Sequence, residues 1–413
     1  MTNTVSTPTL TDKQMALLLA LLVAIMPFSV DAYLPAIPTM AAQLGADIHR
    51  IEQSLSSFMF GVAAGQLIGG SLSDLKGRRI VALSGLAIYL AGAVGLVFIQ
   101  TAGELFFLRM VQAFGAGMAV VVVGAIVRDY YEGRQAAQMF ALIGIIMMVA
   151  PLAAPMLGAL LKSLGGWRAI FIFLSVYACA VWGLLFRFLA KPAQTEPIDR
   201  SVFQTVIRRY LHVLRTRSAL GFLFFQAFSF SSMFVFLTES SFVYMKLYGI
   251  SAHQYAWFFG MNIITMAAFN RITAWRLKTG SHAQNILKWG IAIQFLANLL
   301  MLSAVLLTKQ PHMAFLVGCV MLSVGTQGLI NANTQACFMS YFKEEGGSAN
   351  AVLGVCQSLI AAAVGMLTTW MHNGTPLTMA GMMLLSTICG MVLLWLFSGK
   401  VLFGNRPLFK PAR

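Results

Sequence analysis

Charge is what this sequence has least of. Of its 413 residues only 41 carry a charged side chain, 28 basic and 13 acidic, or 10%, against roughly 25% in soluble domains. That scarcity excludes a water-soluble enzyme, a disordered chain and a soluble nucleic-acid binder. Cysteine is scarce too. Cys179, Cys319, Cys337, Cys356 and Cys389 are odd in number, sit inside or at the edge of apolar stretches and lack metal-ligand spacing, so they read as small core residues. The six histidines, His49, His212, His253, His282, His312 and His372, fall in loops or at helix ends. There is no H-E-x-x-H, no phosphate-binding G-x-x-x-x-G-K-[ST] and no C-x-x-C. No metal and no cofactor is therefore expected, and energy for any work should come from an ion gradient rather than from ATP. A basic leader is also lacking. The first apolar stretch runs about 20 residues to Tyr33 with no cleavage site after it, which reads as a retained first helix.

Apolar residues are what the chain has in excess, 59% of the total. At roughly 20 residues per membrane-spanning helix, that supplies about twelve spans. They fall near 14–35, 52–72, 80–100, 105–127, 138–162, 168–190, 219–245, 254–274, 287–308, 312–334, 349–371 and 377–398. The expected fold is an all-α membrane protein of twelve helices in two six-helix bundles, 1–190 and 218–413. A cytoplasmic linker, 191–217, joins them. With both termini placed in the cytoplasm, 22 of the 28 basic residues fall on inner segments and five at outer loops, a clear inside-positive bias. The net charge of +15 thus marks topology rather than a nucleic-acid partner. Within the linker Phe203, Val206, Ile207, Tyr210, Leu211 and Leu214 recur at helical spacing. They fit either an amphipathic helix on the inner leaflet or a solvated tether.

Four motifs stand out. Gly70-Ser71-Leu72-Ser73-Asp74-Leu75-Lys76-Gly77-Arg78-Arg79 fills the short loop between the second and third spans. Gly77 there permits a tight reversal, and Asp74 with Arg78 and Arg79 forms a candidate charge latch. Arg109-Met110-Val111-Gln112-Ala113-Phe114-Gly115-Ala116-Gly117 lies in the fourth span. The fifth carries Ala150-Pro151-Leu152-Ala153-Ala154-Pro155-Met156-Leu157-Gly158, followed by Gly166-Trp167-Arg168. Asp31-Ala32-Tyr33-Leu34-Pro35-Ala36-Ile37-Pro38 closes the first.

Together these resemble the major facilitator superfamily, with the first motif matching its G-x-x-x-D-R-x-G-R-[RK] loop except for Leu75 in place of Arg. The prolines Pro151 and Pro155 with Gly158 are similar to the helix-5 motif of its antiporters. The Asp31 segment, with Arg128-Asp129 after the fourth span and Gly347-Ser348-Ala349-Asn350-Ala351 before the eleventh, points to the Bcr/CflA type of drug:proton antiporter. The resemblance implies alternating access, with Asp74, Gly77, Arg78 and Arg79 holding the cytoplasmic side shut in the outward-open state.

Three charges do not fit in loops. Asp31, Arg109 and Glu239 lie about four to six residues from the outer ends of their spans, at similar depth at 1.5 Å per residue. A charge in a span costs roughly 2.5–3.5 kcal/mol on insertion scales, so it needs a partner or a wet cavity. Two readings stand for Asp31 and Arg109, a static pair between helices or a proton site. Glu239 is a candidate for a cationic substrate or a second proton.

Candidate substrate contacts share turns with these charges: Phe28 before Asp31, Gln112 after Arg109, Phe236 before Glu239. Gln327, Asn331 and Gln335 occupy one face of the tenth span, and Tyr255, Phe258 and Asn262 one face of the eighth. Either stripe equally suits plain helix packing.

The expected function is export of amphipathic small molecules, drugs or antibiotics, in exchange for protons across a bacterial inner membrane. The chain would act without enzymatic chemistry and as a monomer in the lipid bilayer. An importer or exporter of a small metabolite on the same fold is the main alternative, and a membrane protein without transport function a further one.

Overall fold

The computed structural model describes residues 10–131, 133–189, 200–308, 310–342 and 346–402. These form helices and connecting turns, with no strand among the described residues. In chain order the helices are α1 (Asp12–Asp31), α2 (Ile37–Gln43), α3 (Ile48–Lys76), α4 (Arg78–Val97), α5 (Ala102–Val121), α6 (Val123–Tyr130), α7 (Gly133–Gly165) and α8 (Arg168–Phe188). They continue as α9 (Arg200–Arg215), α10 (Arg217–Ser240), α11 (Ala252–Lys278), α12 (Ala283–Thr308), α13 (Met313–Gly325), α14 (Gln327–Met339), α15 (Gly346–Trp370) and α16 (Leu377–Leu402). Local chemistry sets several of the starts. Thr11 with Gln14, Thr101 with Glu104 and Ser251 with Gln254 each form a reciprocal capping box that satisfies otherwise orphaned N–H groups.

Among the described residues eleven stretches are long and apolar enough to cross a membrane. Several join two short helices across a kink, as α5 does with α6 and α13 with α14. The expected twelfth span is α11, which has the length, 27 residues. Asn262, Asn270, Arg271, Arg276 and Lys278 dilute its apolarity.

The helices gather into two compact units. One comprises the described residues up to Ala46 and within Ser57–Ile207, the other Asp47–Ser56 and those from Arg208 on. The division departs from a cut at a linker in two ways: α9 straddles it, and the first turns of α3 pack with the second unit. In the first unit α1 lies on α7 and α8, and α4 on α5 and α8. Their core is built from Met15, Leu19, Leu22, Val81, Leu86, Ala119 and Leu185. In the second unit α10 lies against α14, α15 and α16, around Phe222, Phe225, Leu287, Ile330, Phe338 and Leu353. Val213 of α9 is buried in that core and Tyr210 packs beside it. The linker segment 191–199 lies outside the described residues.

The outer surface inverts the soluble pattern. Leu307 is 84% exposed, Trp370 79% and Leu164 76%, whereas Arg109, Glu52 and Glu239 are wholly buried. Apolar side chains facing outward over this extent mark a lipid-facing surface.

Candidate functional site

In the first unit, Asp31 is the last residue of α1 and is nearly buried. Beyond it the chain tightens into a 3-10 turn, Leu34–Ala36, because Pro35 has no N–H to continue the α-helical ladder. Helix α7 crosses at this point. A Cβ on Gly158 would lie 1.9 Å from the Ala32 carbonyl oxygen, so the two backbones touch and only glycine fits. Four residues on, Lys162 donates from Nζ to the Pro35 carbonyl at 3.2 Å. Two motifs separated by some 120 residues therefore meet at Asp31.

Arg109 is held on α5 of the same unit. Its guanidinium lies 4.8 Å from the Tyr33 ring centre and 4.4 Å from that of Phe58, and Nη1 donates to Gln112 Oε1 at 2.9 Å. Nε and Nη2 have no hydrogen-bond partner. Among the described residues no ion pair joins Arg109 to Asp31, and the Asp31 carboxylate makes no hydrogen bond. The static-pair reading thus gives way to a cation between two aromatic rings, an arrangement worth about 2 kcal/mol or more when desolvated. Around it Ser29 and Tyr89 share a 2.6 Å hydrogen bond that links α1 to α4. Phe28 packs on Phe173 and Tyr177 at 5.9 and 5.6 Å.

At the far end of α3, Gly77 adopts φ 88°, a left-handed value that disfavours any side chain. Arg78 then reaches Asp129 Oδ2 from Nε at 3.0 Å and Ser73 Oγ from Nη1 at 2.8 Å. Arg79 donates to the Phe186 carbonyl at 2.6 Å and lies 5.3 Å from that ring's centre. The side chain of Asp74 lies outside the described residues. Trp167 and Arg168 tie the loop ends together, Trp167 to Gln43 Oε1 at 2.7 Å and Arg168 to the Val97 and Ile99 carbonyls at 3.1 and 3.2 Å.

In the second unit, Glu239 is the penultimate residue of α10, just before a wide π turn, Ser241–Leu247. Its Oε2 is 2.9 Å from His372 Nδ1. The His372 ring stacks on His49 at 3.4 Å between centres, and His49 Nδ1 is 2.8 Å from Glu52 Oε2. Phe242 covers both imidazoles, at 5.0 and 4.5 Å.

Sequence reasoning found only Glu239 of this group. Glu52 sits at the very start of its apolar stretch and reads as an edge charge. The available signal was His49 three residues before Glu52, a spacing that puts both on one helix face.

The remaining candidates form interhelical contacts. Gln327 Nε2 donates to the carbonyl and hydroxyl of Ser229, both at 3.0 Å, and Gln226 Nε2 donates to Asn331 Oδ1 at 2.6 Å. Gln335 turns away to Asn350. Tyr255 shares a 2.7 Å hydrogen bond with Ser240, and Phe236 packs on Tyr244 and Phe259 at 5.8 and 6.2 Å. Phe258 also meets Tyr244, at 6.3 Å. Asn262 is buried with neither amide atom bonded.

An interior carrying charges and amides inside an apolar shell defines a membrane transporter rather than a membrane anchor. Residues 19–366 match the Major Facilitator Superfamily model, and the chain belongs to that family of transporters. It is 31% identical over 360 residues to a bicyclomycin resistance protein homolog of Haemophilus influenzae, covering 87% of this chain and 89% of that one. It is 28% identical to the multidrug resistance protein MdtL of Escherichia coli O157:H7, over 84% of this chain and 88% of the other. A chloramphenicol resistance protein of Pseudomonas aeruginosa matches at 38% identity over 38% of each chain. In fold it is similar to the crystal structure of an auto-inhibited POT family peptide transporter, with TM-score 0.72, 16% identity and 97% and 99% coverage. The partially occluded inward-open xylose transporter XylE of E. coli gives TM-score 0.69 at 10% identity, covering 96% of this chain and 99% of that one.

Proposed function

We propose that this chain exports amphipathic drugs in exchange for protons, by alternating access across the bacterial inner membrane with both termini in the cytoplasm. The observation that carries this reading is Asp31: a nearly buried carboxylate with no bonded partner among the described residues, at the point where the proline- and glycine-bearing α7 crosses α1. An unbonded buried carboxylate is costly when ionised, which favours uptake of a proton or of a cationic ligand. Arg109 is a fixed positive charge toward which an ionised Asp31 would be drawn, and protonation of Asp31 would release it. Proton and drug then compete for one site, and exchange needs no long-range relay.

Glu239 is the second carboxylate assigned to cation binding. Phe28, Gln112, Phe236, Tyr255, Phe258, Asn262, Gln327 and Asn331 are the assigned drug contacts. Asp74, Gly77, Arg78 and Arg79 are assigned to the cytoplasmic latch, an assignment that the Arg78–Asp129 ion pair supports. The relatives named for resistance to bicyclomycin, chloramphenicol and multiple drugs support the substrate class.

Everted vesicles test the coupling. Drug added to vesicles holding the wild-type chain should release protons from the lumen. In Asp31→Asn that release should fall to the level of empty vesicles. Unchanged proton release in Asp31→Asn would remove Asp31 from the mechanism.

A further inference from the structure

The grouping of His49, Glu52, Glu239 and His372 has no role in the exchange just described beyond the carboxylate of Glu239. We infer that His49, Glu239 and His372, with Glu52 holding the His49 ring, form a binding site for a divalent first-row transition ion of the Zn2+ and Co2+ class, separate from the Asp31 site.

The donor set is the first argument. Two imidazoles and one carboxylate are a mixed nitrogen and oxygen set of the kind that such ions take, three protein ligands that leave the fourth tetrahedral position to water. Position is the second. One ligand atom each from His49, Glu239 and His372 lie within 4.8 Å of one another. Tetrahedral bonds of 2.0–2.1 Å need donors roughly 3.3 Å apart, a contraction that side-chain rotation supplies. The third argument is unused capacity. Glu52 Oε1, Glu239 Oε1 and His372 Nε2 are all buried without a hydrogen-bond partner.

Charge completes the case. Both carboxylates are wholly buried, and two imidazoles stacked at 3.4 Å repel if both are cationic. One divalent ion offsets the charge of both buried carboxylates. The His49 Nδ1 contact to Glu52 also resembles the carboxylate–histidine pairing that orients metal-binding imidazoles. Phe242 shields one side, and the exposed Asp47, whose Oδ1 is 4.0 Å from His49 Nε2, stands at the rim. Lys246 lies over Phe242, 5.6 Å from its centre.

The test uses the full, untagged chain in detergent, stripped with chelator and titrated with Co2+. The expected result is one saturable Co2+ per chain with the visible band of tetrahedral cobalt, displaced by Zn2+. His372→Ala and His49→Ala should each weaken binding by about 10-fold or more, while His253→Ala, an exposed histidine elsewhere, should leave it intact. No saturable binding by the wild type would overturn the site, as would binding undiminished in His372→Ala. Should His372→Ala fail to run as a single species, X-ray absorption of the Zn2+-loaded wild type decides. Scattering from two imidazoles supports the site, and a shell of oxygen alone overturns it. Binding is read on the purified chain, so the result stands apart from drug export.

Discussion

The two units carry a carboxylate at matching places and treat it in opposite ways. Asp31 ends α1 before a 3-10 turn, and Glu239 lies at the end of α10 before a π turn. Each is thus on the first long helix of its unit, where the backbone ladder breaks. Among the described residues Asp31 has no bonded neighbour, and Arg109 lies between Tyr33 and Phe58. Glu239 is bonded to His372 and stands beside a second His–Glu pair. One carboxylate is left available for exchange while the other is closed into a cluster. Position in the fold therefore does not decide chemistry; the residues packed around the carboxylate do.

The largest expected effect breaks the first site by shape alone. Gly158→Val would push side-chain carbon into the Ala32 carbonyl, where even a Cβ comes to 1.9 Å. Overpacking of a core costs about 1–3 kcal/mol, and here backbone rather than a side chain must move. Transport should be lost and the melting temperature in detergent lowered, with Gly144→Val as the control, since a Cβ there meets nothing within 4 Å.

Charge gives the next test, and it separates function from stability. Arg109→Met removes a buried cation that has no bonded carboxylate, so stability should hold or rise, as when buried charges give way to apolar side chains. Transport should nevertheless vanish. Arg109→Lys keeps the charge and part of the cation–π attraction but loses the planar stacking on Tyr33 and Phe58, a loss of about 1 kcal/mol, so transport should fall roughly 5-fold. A melting temperature that collapses in Arg109→Met would make Arg109 a structural residue.

Glu239→Gln sharpens the contrast from the other side. The amide keeps an oxygen that can accept from His372 but loses the charge, which should cost about 1 kcal/mol, the difference between a charge-assisted and a neutral hydrogen bond. Asp31→Asn, with no partner to lose, should leave the melting temperature unchanged. Equal destabilisation by the two variants would erase the distinction between the units.

Much of this was legible in the chain and some was not, for physical reasons. Helices were readable because spans need unbroken apolar runs, and only α11 falls short, diluted by its asparagines and basic residues. Asp31, Arg109 and Glu239 stood out because a charge inside such a run is expensive. What surrounds them was hidden. Tyr33, Phe58 and Tyr89 are ordinary aromatics in the sequence, and only the packing of α1, α3, α4 and α5 brings them together near Arg109. His372 reads as a loop residue 133 positions from Glu239, and no local spacing announces a contact at 2.9 Å. The exchange of residues 47–56 into the second unit was likewise invisible, since nothing in composition marks the point where α3 changes company.

The smallest expected effect concerns the amide stripe on α14, where packing and substrate binding make different predictions. Gln226 and Asn331 meet at 2.6 Å, and Gln327 meets Ser229 twice. Interhelical hydrogen bonds between polar side chains in membranes average about 0.6 kcal/mol, with about 1.7 at most. A double-mutant cycle of Gln226→Leu with Asn331→Leu should therefore return a coupling of that order from reversible unfolding in detergent. If the stripe only joins helices, transport of every drug should fall together in proportion to the lost stability. If it faces a drug, one substrate should be lost before another while stability barely moves, because a site that bonds a particular polar group rejects ligands lacking it. Gln327 retains Oε1 without a partner, which favours the second outcome for that residue. Gln327→Leu, measured against several drugs, is where the second unit would show that it takes part in choosing substrate as well as in holding its own helices together.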